Sequence, residues 1–227
     1  MPPTLQITEI YHSIQGESTR AGMPCVFVRL TGCHLRCVYC DTEYSFHGGE
    51  KRTLDQIMSD VRRYGCDLVE ITGGEPLLQP NVHALMTQLC SGGHTVLLET
   101  SGACAISACD HRVIRIVDLK TPDSGQMDRI DWSTLDCLTD RDEVKFVICS
   151  RRDYEWAADV LSRHRLHQRT AAVLFSPVHE VAPGMEISGA KGMRPRELAE
   201  WVLADRLPVR LQPQMHKMIW DPTARGV

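Results

Sequence analysis

Short apolar runs that are rich in β-branched residues alternate along the chain with stretches whose apolar residues recur every three or four positions. The short runs predict seven β-strands. They span 25–31, 67–72, 94–99, 112–118, 143–149, 170–175 and 208–213. No internal repeat or low-complexity tract interrupts this order.

The stretches between the strands have the periodicity of amphipathic helices. Apolar side chains follow the i, i+3, i+4, i+7 spacing in three of them: Leu54, Ile57, Met58, Val61 and Tyr64; Val82, Leu85, Met86 and Leu89; Tyr154, Ala157, Ala158 and Leu161. Thr53 and Gln56 predict a capping box before the first helix. A last helix is predicted from Pro195, because proline is favoured at the first helical position. Strand, helix, strand repeated about six times predicts a parallel sheet with right-handed crossovers.

Two parallel architectures fit this order: a doubly wound sheet, and a barrel that this chain of 227 residues leaves incomplete, because eight units need about 250. Composition does not choose between them. Both architectures place ligand chemistry at the carboxyl ends of the strands. The segments that follow the strands carry such chemistry: GCHLRCVYCDT, GGEP, TSG, LKTP, SPVHE and QMHK. The sequence therefore predicts one functional rim.

The overall composition is that of an ordinary globular protein, with 43% hydrophobic and 24% charged residues and a formal net charge of -4. A chain of this length buries about 70 to 75% of its unfolded surface, so disulfides are not needed for stability. No apolar run approaches the ~18 residues of a membrane span, and the first ten residues lack a signal-peptide pattern. We therefore expect a cytoplasmic protein without a membrane partner. Lys and Arg are scattered, so nucleic acid is not an expected partner.

Cysteine is the unusual component, with ten residues. In a reducing compartment these are thiols, and a cluster of them suggests metal binding or catalysis. Seven cysteines are single residues, several in apolar surroundings, where cysteine behaves as a small hydrophobic side chain. Cys33, Cys37 and Cys40 instead lie within eight residues, close enough to hold one inorganic centre.

Three thiolates are one short of a closed structural zinc site, which uses four ligands, commonly in two separated pairs. The nearest spare cysteine, Cys25, is predicted to lie inside the preceding strand. His34 is the alternative fourth ligand and would make a closed zinc site. A cubane held by three cysteines leaves one iron without a protein ligand, and that iron can take a substrate or cofactor.

The segment GCHLRCVYCDT, with Tyr39 directly before its third cysteine, resembles the cluster loop of the radical S-adenosylmethionine superfamily. GGEP at 73–76 is similar to that superfamily's second motif. The resemblance implies a 4Fe-4S cluster whose free iron is chelated by S-adenosylmethionine. Gly73 and Gly74 would let the backbone approach the methionine end, which Glu75 would orient.

GGEP also has a purely structural interpretation. It is a tight turn between a strand and a helix, with Pro76 at the first helical position. Its place directly after DLVEIT, one unit beyond the three-cysteine loop, favours the functional interpretation, since a motif is supported by its structural context.

Four further segments narrow the resemblance. SIQGES at 13–18, ETSG, DLKTP and QMHKMIW resemble the 7-carboxy-7-deazaguanine synthase family, so that the resemblance spans nearly the whole chain. It departs from the family where Ser18 replaces a glycine, where DLK stands for Ser-Pro-Lys, and where TARGV follows Pro222. In some members the chain ends at a proline whose carboxylate contacts substrate, and TARGV puts that role of Pro222 in doubt.

That family implies an α/β fold, a partial (β/α)6-type TIM-like barrel of the radical S-adenosylmethionine type. It implies conversion of 6-carboxy-5,6,7,8-tetrahydropterin to 7-carboxy-7-deazaguanine and ammonia, in the biosynthesis of queuosine and related 7-deazapurines. A 5′-deoxyadenosyl radical would take hydrogen from C6 of the pterin and later return it. The net reaction is redox-neutral, so S-adenosylmethionine would be regenerated.

The resemblance assigns a set of substrate-binding residues. They are Ile14, Gln15, Gly16, Glu17, Arg29, Thr100 and His216. Arg29 lies inside the apolar run VFVRLT, and a buried guanidinium there suits a substrate carboxylate bidentately. The alternative is an internal partner such as Glu17 or Glu99, because buried charges usually pair. Gln15 and Glu17 match the donor and acceptor edge of a pterin, although each polar residue could instead serve a turn or cap.

The resemblance also assigns cofactor and metal contacts. The cofactor set is Tyr39, Cys40, Asp41, Gly73, Gly74, Glu75, Gly102, Asp118, Leu119, Lys120, Ser176, Pro177, Val178 and His179. Thr42 is implied as a ligand of Mg²⁺, a hard cation that keeps few protein ligands and shares oxygens with substrate. The alternative for Asp41 and Thr42 is a turn that closes the cluster loop. Lys217, next to His216, is a second-shell or substrate candidate.

We expect residues 1–227 to form a single domain. It would comprise an N-terminal substrate-binding segment (1–23), a cluster and cofactor core (24–150) and a C-terminal part that completes the barrel (151–227). The glycine-containing stretch 179–193 predicts a flexible loop and a candidate lid.

The partners implied by the resemblance are the pterin, flavodoxin or ferredoxin as a strongly reducing electron donor, and a second copy in a homodimer. Two alternatives stay open at this point. One is another small radical enzyme, such as a glycyl-radical activase, and the other is a zinc-binding module without catalytic activity.

Overall fold

One mixed sheet organises the fold in the computed structural model, which describes residues 2–180 and 192–227. The strands are β1 (Thr4–Ile14), β2 (Pro24–Leu30), β3 (Glu50–Thr53), β4 (Leu68–Gly73), β5 (Thr95–Thr100), β6 (Ile114–Asp118), β7 (Glu143–Ile148), β8 (Ala172–Pro177) and β9 (Arg210–Leu211). The α-helices are α1 (Leu54–Arg63), α2 (Val82–Ser91), α3 (Arg151–Arg163), α4 (Leu166–Arg169), α5 (Pro195–Asp205) and α6 (His216–Ile219).

The strand order identifies the barrel architecture. The sheet runs β3-β1-β2-β4-β5-β6-β7-β8-β9, and from β2 to β9 each strand is parallel to its neighbour. A doubly wound sheet reverses its strand order partway, and this sheet does not. β1 joins the edge antiparallel to β2, and β3 pairs with β1. Within the described residues the two edges do not pair, so the barrel is open, as predicted.

The two faces of the strands have different roles. Val26 and Val28 point toward α1 and α2 and form part of an apolar core with them. Their neighbours Cys25 and Phe27 point the other way and join a smaller apolar cluster with Leu97 inside the barrel. Closer to the carboxyl ends, this inner face becomes polar. Apolar side chains therefore fill the barrel at the amino ends of the strands, and charged side chains occupy it at their carboxyl ends.

Most of the predicted elements are present. The Thr53 side chain accepts from the Gln56 N–H and the Gln56 side chain from the Thr53 N–H, so the predicted capping box is confirmed. α5 begins at Pro195, as predicted. The predicted strand 208–213 is reduced to Arg210–Leu211, because it forms only an edge pairing with β8.

Two sequence predictions were incomplete. β1 and β3 were missed, although Leu5 and Ile7 alternate with polar residues in β1 and are buried. The repeat of strand, helix, strand would place a helix in each connection, but no α-helix forms between β5 and β6 or between β6 and β7. The second connection is instead built from 3-10 turns at Pro122–Ser124, Met127–Arg129 and Trp132–Cys137.

The lid predicted at 179–193 lies for the most part outside the described residues. None of the helices in the described ranges has both the length and the apolar character needed to cross a bilayer. The cysteines outside the cluster loop mostly pack against the apolar cores, and Cys25 is fully buried.

Candidate active site

A cavity of about 520 Å³ opens at the carboxyl ends of the parallel strands, the rim at which the sequence placed the chemistry. Its volume is that of a small-molecule site. Most of the predicted site residues line it: Ile14, Gln15, Gly16, Glu17, Arg29, Cys33, Cys37, Tyr39, Cys40, Asp41, Thr42, Gly73, Gly74, Thr100, Asp118, Lys120, Val178, His179 and His216. The N-terminal segment, the cluster loop and the C-terminal segment therefore meet around one space.

Five predicted cofactor residues do not line the cavity. They are Glu75, Gly102, Leu119, Ser176 and Pro177. Leu119 is fully buried in the core, and a Cβ on Gly102 would lie 3.0 Å from its side chain. Gly102 adopts a φ of +71°, which favours glycine. Its observed role is to let its loop pack closely on β6.

The cluster loop carries its three thiols into the cavity. The backbone folds back at Cys40, whose N–H donates to the Cys37 carbonyl over 3.1 Å, and the Leu35 N–H approaches the Cys33 sulfur at 3.4 Å. Burial raises the pKa of all three thiols, that of Cys37 to about 11. They are therefore neutral at pH 7 in the protein alone, and metal binding would release their protons.

Gly73 and Gly74 seat the second motif directly against this loop. A Cβ on Gly74 would lie 2.2 Å from the Gly32 carbonyl oxygen and 2.8 Å from the Cys33 Cβ. Gly73 has a φ of +145°, and a Cβ there would meet the Leu30 backbone at 2.3 Å. Only glycine fits at either position, so the pair brings the backbone of β4 against the cysteine loop. This geometry fits a cluster-bound cofactor held at that junction.

Glu75 is a structural anchor behind the cavity wall. Its carboxylate is fully buried and accepts from the Leu77 N–H at 3.0 Å, the Thr100 hydroxyl at 2.9 Å and the Ser101 N–H at 2.8 Å. The Ser101 hydroxyl adds a bond of 2.6 Å. Pro76 opens a 3-10 turn, so the turn interpretation of GGEP describes the geometry correctly. The Thr100 hydroxyl donates its proton to Glu75 and keeps only lone pairs for a ligand.

Asp118, Lys120 and Tyr39 form one group beside the cysteines. Lys120 Nζ lies 2.8 Å from Asp118 Oδ2 and 5.6 Å from the centroid of the Tyr39 ring. Burial raises the pKa of Tyr39, and its hydroxyl has no hydrogen-bond partner in the described part of the chain. Asp118 Oδ1 is likewise buried without a hydrogen-bond partner among the described residues. These two unpartnered atoms fit a polar ligand on the cofactor side of the cavity.

Arg29 has an internal partner, but not one of those predicted. Its Nε donates to Glu9 Oε1 at 2.8 Å, and its Nη2 to the Tyr11 hydroxyl at 2.8 Å. The Tyr44 hydroxyl also donates to Glu9 Oε1, at 2.7 Å. Glu17 and Glu99, the partners considered from the sequence, pair elsewhere. Arg29 still borders the cavity and has N–H groups beyond those two, but its charge is balanced by Glu9.

Lys145, which was not predicted from the sequence, lies among three carboxylates. Its ammonium, only 5% exposed, pairs with Glu17 and Glu99 and lies 3.5 Å from Asp118 Oδ2. Burial alone would raise the pKa of Glu17, but Lys145 outweighs it and lowers that pKa to about 2. Burial raises the pKa of Glu99 despite the same lysine. One ammonium therefore holds the N-terminal loop against β5 and β7.

Gln15 and Glu17 are already hydrogen-bonded within the protein. The Gln15 amide donates to Glu70, and its oxygen accepts from the Glu17 N–H at 3.0 Å. Glu17 accepts from the Gln214 amide at 2.7 Å in addition to Lys145. Burial raises the pKa of Glu70 well above its ordinary range. A substrate would meet a preorganised polar wall here.

The C-terminal segment packs against the N-terminal loop. The Met215 N–H donates to the Gly16 carbonyl at 3.0 Å, and a Cβ on Gly16 would lie 2.1 Å from His216 Nδ1. Lys217 pairs with Asp41 of the cluster loop. Burial lowers the pKa of both His216 and His179, which favours their neutral forms.

Thr42 borders the cavity with its hydroxyl 3.8 Å from the Cys40 sulfur. The turn that follows uses its carbonyl, which accepts from the Ser45 N–H at 2.9 Å, whereas its hydroxyl makes no capping bond. His34 does not border the cavity, and its Nδ1 is buried without a hydrogen-bond partner among the described residues.

Several cavity residues could have been predicted from the occurrence of a charged residue inside an apolar strand, a criterion that was used only for Arg29. Glu70, Glu99 and Lys145 are, like Arg29, charged residues inside apolar strands. Buried charges are rare unless they are paired or functional. Tyr11 and Tyr44 carry no comparable signal, because their importance depends on their contact with the Arg29 and Glu9 pair.

Comparisons with known proteins show the family of the chain. Residues 27–170 match the radical SAM superfamily model. The chain is 46% identical to the 7-carboxy-7-deazaguanine synthase of Koribacter versatilis over 98% of this chain and 100% of that protein. It is 43% identical to the one from Chlorobaculum tepidum, over 98% and 97%. The crystal structure of QueE from Escherichia coli superposes with a TM-score of 0.73 at 24% identity, covering 94% of this chain and 95% of that chain.

The fold and the three-cysteine site thus define a radical S-adenosylmethionine enzyme. Within that superfamily, the chain belongs to the 7-carboxy-7-deazaguanine synthase family. The family implies a 4Fe-4S cluster and S-adenosylmethionine as cofactors, in place of the zinc-binding alternative.

Proposed function

We propose that this protein converts 6-carboxy-5,6,7,8-tetrahydropterin to 7-carboxy-7-deazaguanine and ammonia. The observation that carries the proposal is that one cavity joins the three cysteines to SIQGES and Arg29, the segments that resemble the synthase family. A glycyl-radical activase has no evident need for either segment. Two relatives, 46% and 43% identical over 98% of this chain, carry the name of this activity.

In this proposal, the protein holds the pterin between two walls. Gln15 and Glu17, fixed by Glu70 and Lys145, face the donor and acceptor edge of the ring. Ile14 and Gly16 contribute surface at the end of β1, and Thr100 offers its remaining lone pairs. Because these groups are already fixed by internal bonds, little side-chain entropy is lost when substrate binds. Preorganisation of this kind favours one orientation of the reacting C6.

The cofactor side is formed by the cluster loop. When bound, the cluster and S-adenosylmethionine supply a 5′-deoxyadenosyl radical. Cys33, Cys37 and Cys40 would hold the iron, and Gly73 and Gly74 the methionine end. The other contacts proposed are Tyr39, Asp41, Asp118, Lys120, Val178 and His179, which border the cavity, and Glu75, Gly102, Leu119, Ser176 and Pro177, which lie behind its wall.

We also propose Mg²⁺ at Thr42. What supports it is a hydroxyl that makes no capping bond and points toward the sulfur of the third cysteine. Mg²⁺ binds through few protein oxygens and shares the oxygens of its substrate, so a single threonine and a substrate carboxylate suit it.

The remaining parts of the proposal rest on the family resemblance. They are reduction by flavodoxin or ferredoxin, assembly as a homodimer and a place in queuosine biosynthesis. A cytoplasmic location is also proposed, and its support is the lack of an apolar run long enough to span a membrane. The division into an N-terminal substrate segment (1–23), a cofactor core (24–150) and a completing part (151–227) belongs here too. Its support is the meeting of all three parts at one cavity.

The test is anaerobic incubation of the iron- and sulfide-reconstituted protein with the pterin, S-adenosylmethionine and dithionite, followed by product mass. We expect 7-carboxy-7-deazaguanine from the wild type, none from Cys37→Ala, and unchanged product from Cys90→Ala, whose cysteine lies on α2 away from the cavity. Deoxyadenosine without a deazapurine would refute the proposed substrate. One zinc and no acid-labile sulfide would contradict the cofactor assignment.

A further inference from the structure

The cations that border the cavity are almost all neutralised by carboxylates of the protein. Arg29 pairs with Glu9, and a second set of ion pairs joins Lys120 to Asp118, Lys145 to Glu17 and Glu99, and Lys217 to Asp41. Burial favours the neutral form of the two cavity histidines. Arg225 also borders the cavity, and no carboxylate in residues 2–180 or 192–227 pairs with it.

Arg225 lies close to the Arg29 and Glu9 pair. Its guanidinium carbon is 4.2 Å from the centroid of the Tyr44 ring, and that of Arg29 is 6.0 Å from the same centroid. The Tyr44 hydroxyl donates to Glu9, and a Cβ on the neighbouring Gly226 would lie 3.9 Å from Glu9 Oε2. The two guanidinium groups therefore border one aromatic ring, at the part of the cavity where Arg29 was expected to bind a carboxylate.

We propose that Arg225 is a specificity-determining residue that binds the carboxylate of the substrate together with Arg29. The proposal rests on the proposed function, which gives the substrate and the product a carboxylate each. It assigns a role to the TARGV segment after Pro222, where the chain departs from the family pattern.

The physical reason is the local charge. The Arg29 charge is already balanced by Glu9, so a further carboxylate beside that pair meets N–H donors but no excess positive charge. The cavity also contains Glu17, Glu99 and Asp118, three carboxylates that share only two ammonium groups, so another anion is repelled there. Arg225 supplies positive charge from the protein itself, in addition to the Mg²⁺ proposed at Thr42, and its planar fork suits a carboxylate. Because Arg225 is exposed, its contribution is screened by salt.

The experiment compares Arg225→Gln and Arg225→Lys with Arg196→Gln, an exposed control on α5 that is outside the cavity. Steady-state kinetics with the pterin are combined with binding of two probes, 7-carboxy-7-deazaguanine and 7-deazaguanine, which lacks the carboxylate. We expect Arg225→Gln to raise KM and the Kd of the carboxylated probe about tenfold, the scale of one charge-assisted hydrogen bond. The kcat should stay within about twofold, since the contact is the same in ground and transition states.

Binding of 7-deazaguanine should be unchanged in Arg225→Gln, and Arg225→Lys should restore most of the affinity for the carboxylated probe. The effect should shrink as salt rises. An equal loss for both probes would show that Arg225 acts by packing, and would overturn the proposal, as would a KM equal to that of the control. If the wild type forms no deazapurine from the pterin, the proposed function itself has failed, a result visible before any variant is compared.

Discussion

Lys217 Nζ lies 2.5 Å from Asp41 Oδ2, so an ion pair joins the last helix, α6, to the residue directly after the third cysteine. The lysine is only 7% exposed. Although burial by itself would raise the pKa of Asp41, the Lys217 ammonium holds it well below its ordinary value. The C-terminal segment is thereby fixed to the cluster loop across the cavity.

Lys217→Met should loosen that connection. The variant leaves Asp41 without its cation. Removal of one partner costs about 3 to 5 kcal/mol of unfolding free energy in a fully buried pair, and because Asp41 is 28% exposed we expect about 2 kcal/mol here. Urea denaturation of the apo-protein at pH 7 measures the loss, and hydrogen exchange should become faster in the cluster loop. Lys217→Arg keeps the charge and serves as the control. Unchanged exchange in 33–45 in Lys217→Met would contradict the connection.

Gly74→Ala should disrupt the cluster loop. The new Cβ would meet the Gly32 carbonyl oxygen and the Cys33 Cβ at distances that no structure tolerates, so the loop must move. We expect a clear loss of iron and acid-labile sulfide after anaerobic reconstitution. Gly93→Ala is the control: it has a φ of +91° and no atom within 4 Å of an added Cβ, so it introduces backbone strain far from the cysteines. Equal iron contents in the two variants would show that the loop adapts.

Glu75→Gln should destabilise the protein even without cofactor. The amide nitrogen of glutamine cannot accept the bonds that one carboxylate oxygen receives, so two buried hydrogen bonds to charge are lost. The expected cost is about 3 kcal/mol in unfolding free energy. Ser101→Ala removes one donor to Glu75 together with the long 3.4 Å acceptor contact to the Ala103 N–H, and should cost about half as much. Equal stability of wild type and Glu75→Gln as apo-proteins would mean that Glu75 serves the cofactor rather than the fold.

The sequence predicted which segments lie at the carboxyl ends of the strands better than it predicted the contacts among their side chains. Strand ends, the cysteine spacing and GGEP are local patterns, and each places its residues on the same edge of any parallel sheet. The partner of Arg29 is not a local property. Glu9 reaches it only because β1 adds antiparallel to β2, and β1 was not predicted. The role of Lys145 likewise requires the curvature that brings β7 opposite the N-terminal loop.

The missing helices have a similar explanation. The connection from β6 to β7 contains Pro122 and Gly125 and lacks the helical spacing of apolar residues. Its short turns therefore leave no periodic pattern from which they could be predicted. What holds it is specific contact: the Asp123 N–H donates to Asp153 at 2.8 Å, and the Val38 N–H of the cluster loop donates to the Ser124 carbonyl at 3.1 Å. This connection supports the cluster loop from behind, a function that no pattern in its own sequence indicates.

Glu70 gives a prediction of pH dependence. Its carboxyl is buried, with the Glu99 carboxylate nearby, and both raise its pKa well above that of the unfolded chain, although the Gln15 amide opposes them. When the pKa of a carboxyl is higher in the folded state than in the unfolded state, the carboxyl ionises at a lower pH in the unfolded chain. Its contribution to stability is therefore complete below the unfolded pKa of about 4.3 and declines as pH rises toward the folded-state value.

Glu70→Gln removes this titration and keeps an oxygen that can accept from Gln15. We expect the unfolding free energy of Glu70→Gln to exceed that of the wild type at pH 7 by about 1 kcal/mol or more, since one pKa unit corresponds to about 1.4 kcal/mol. The difference should vanish toward pH 4. Urea denaturation of the apo-proteins between pH 4 and pH 8 measures it. Glu155→Gln, an exposed change on α3, should show no such divergence. If the difference in unfolding free energy between Glu70→Gln and the wild type stays constant from pH 4 to pH 8, Glu70 is already ionised in the folded protein. Lys145 would then neutralise Glu70 as well as Glu17 and Glu99.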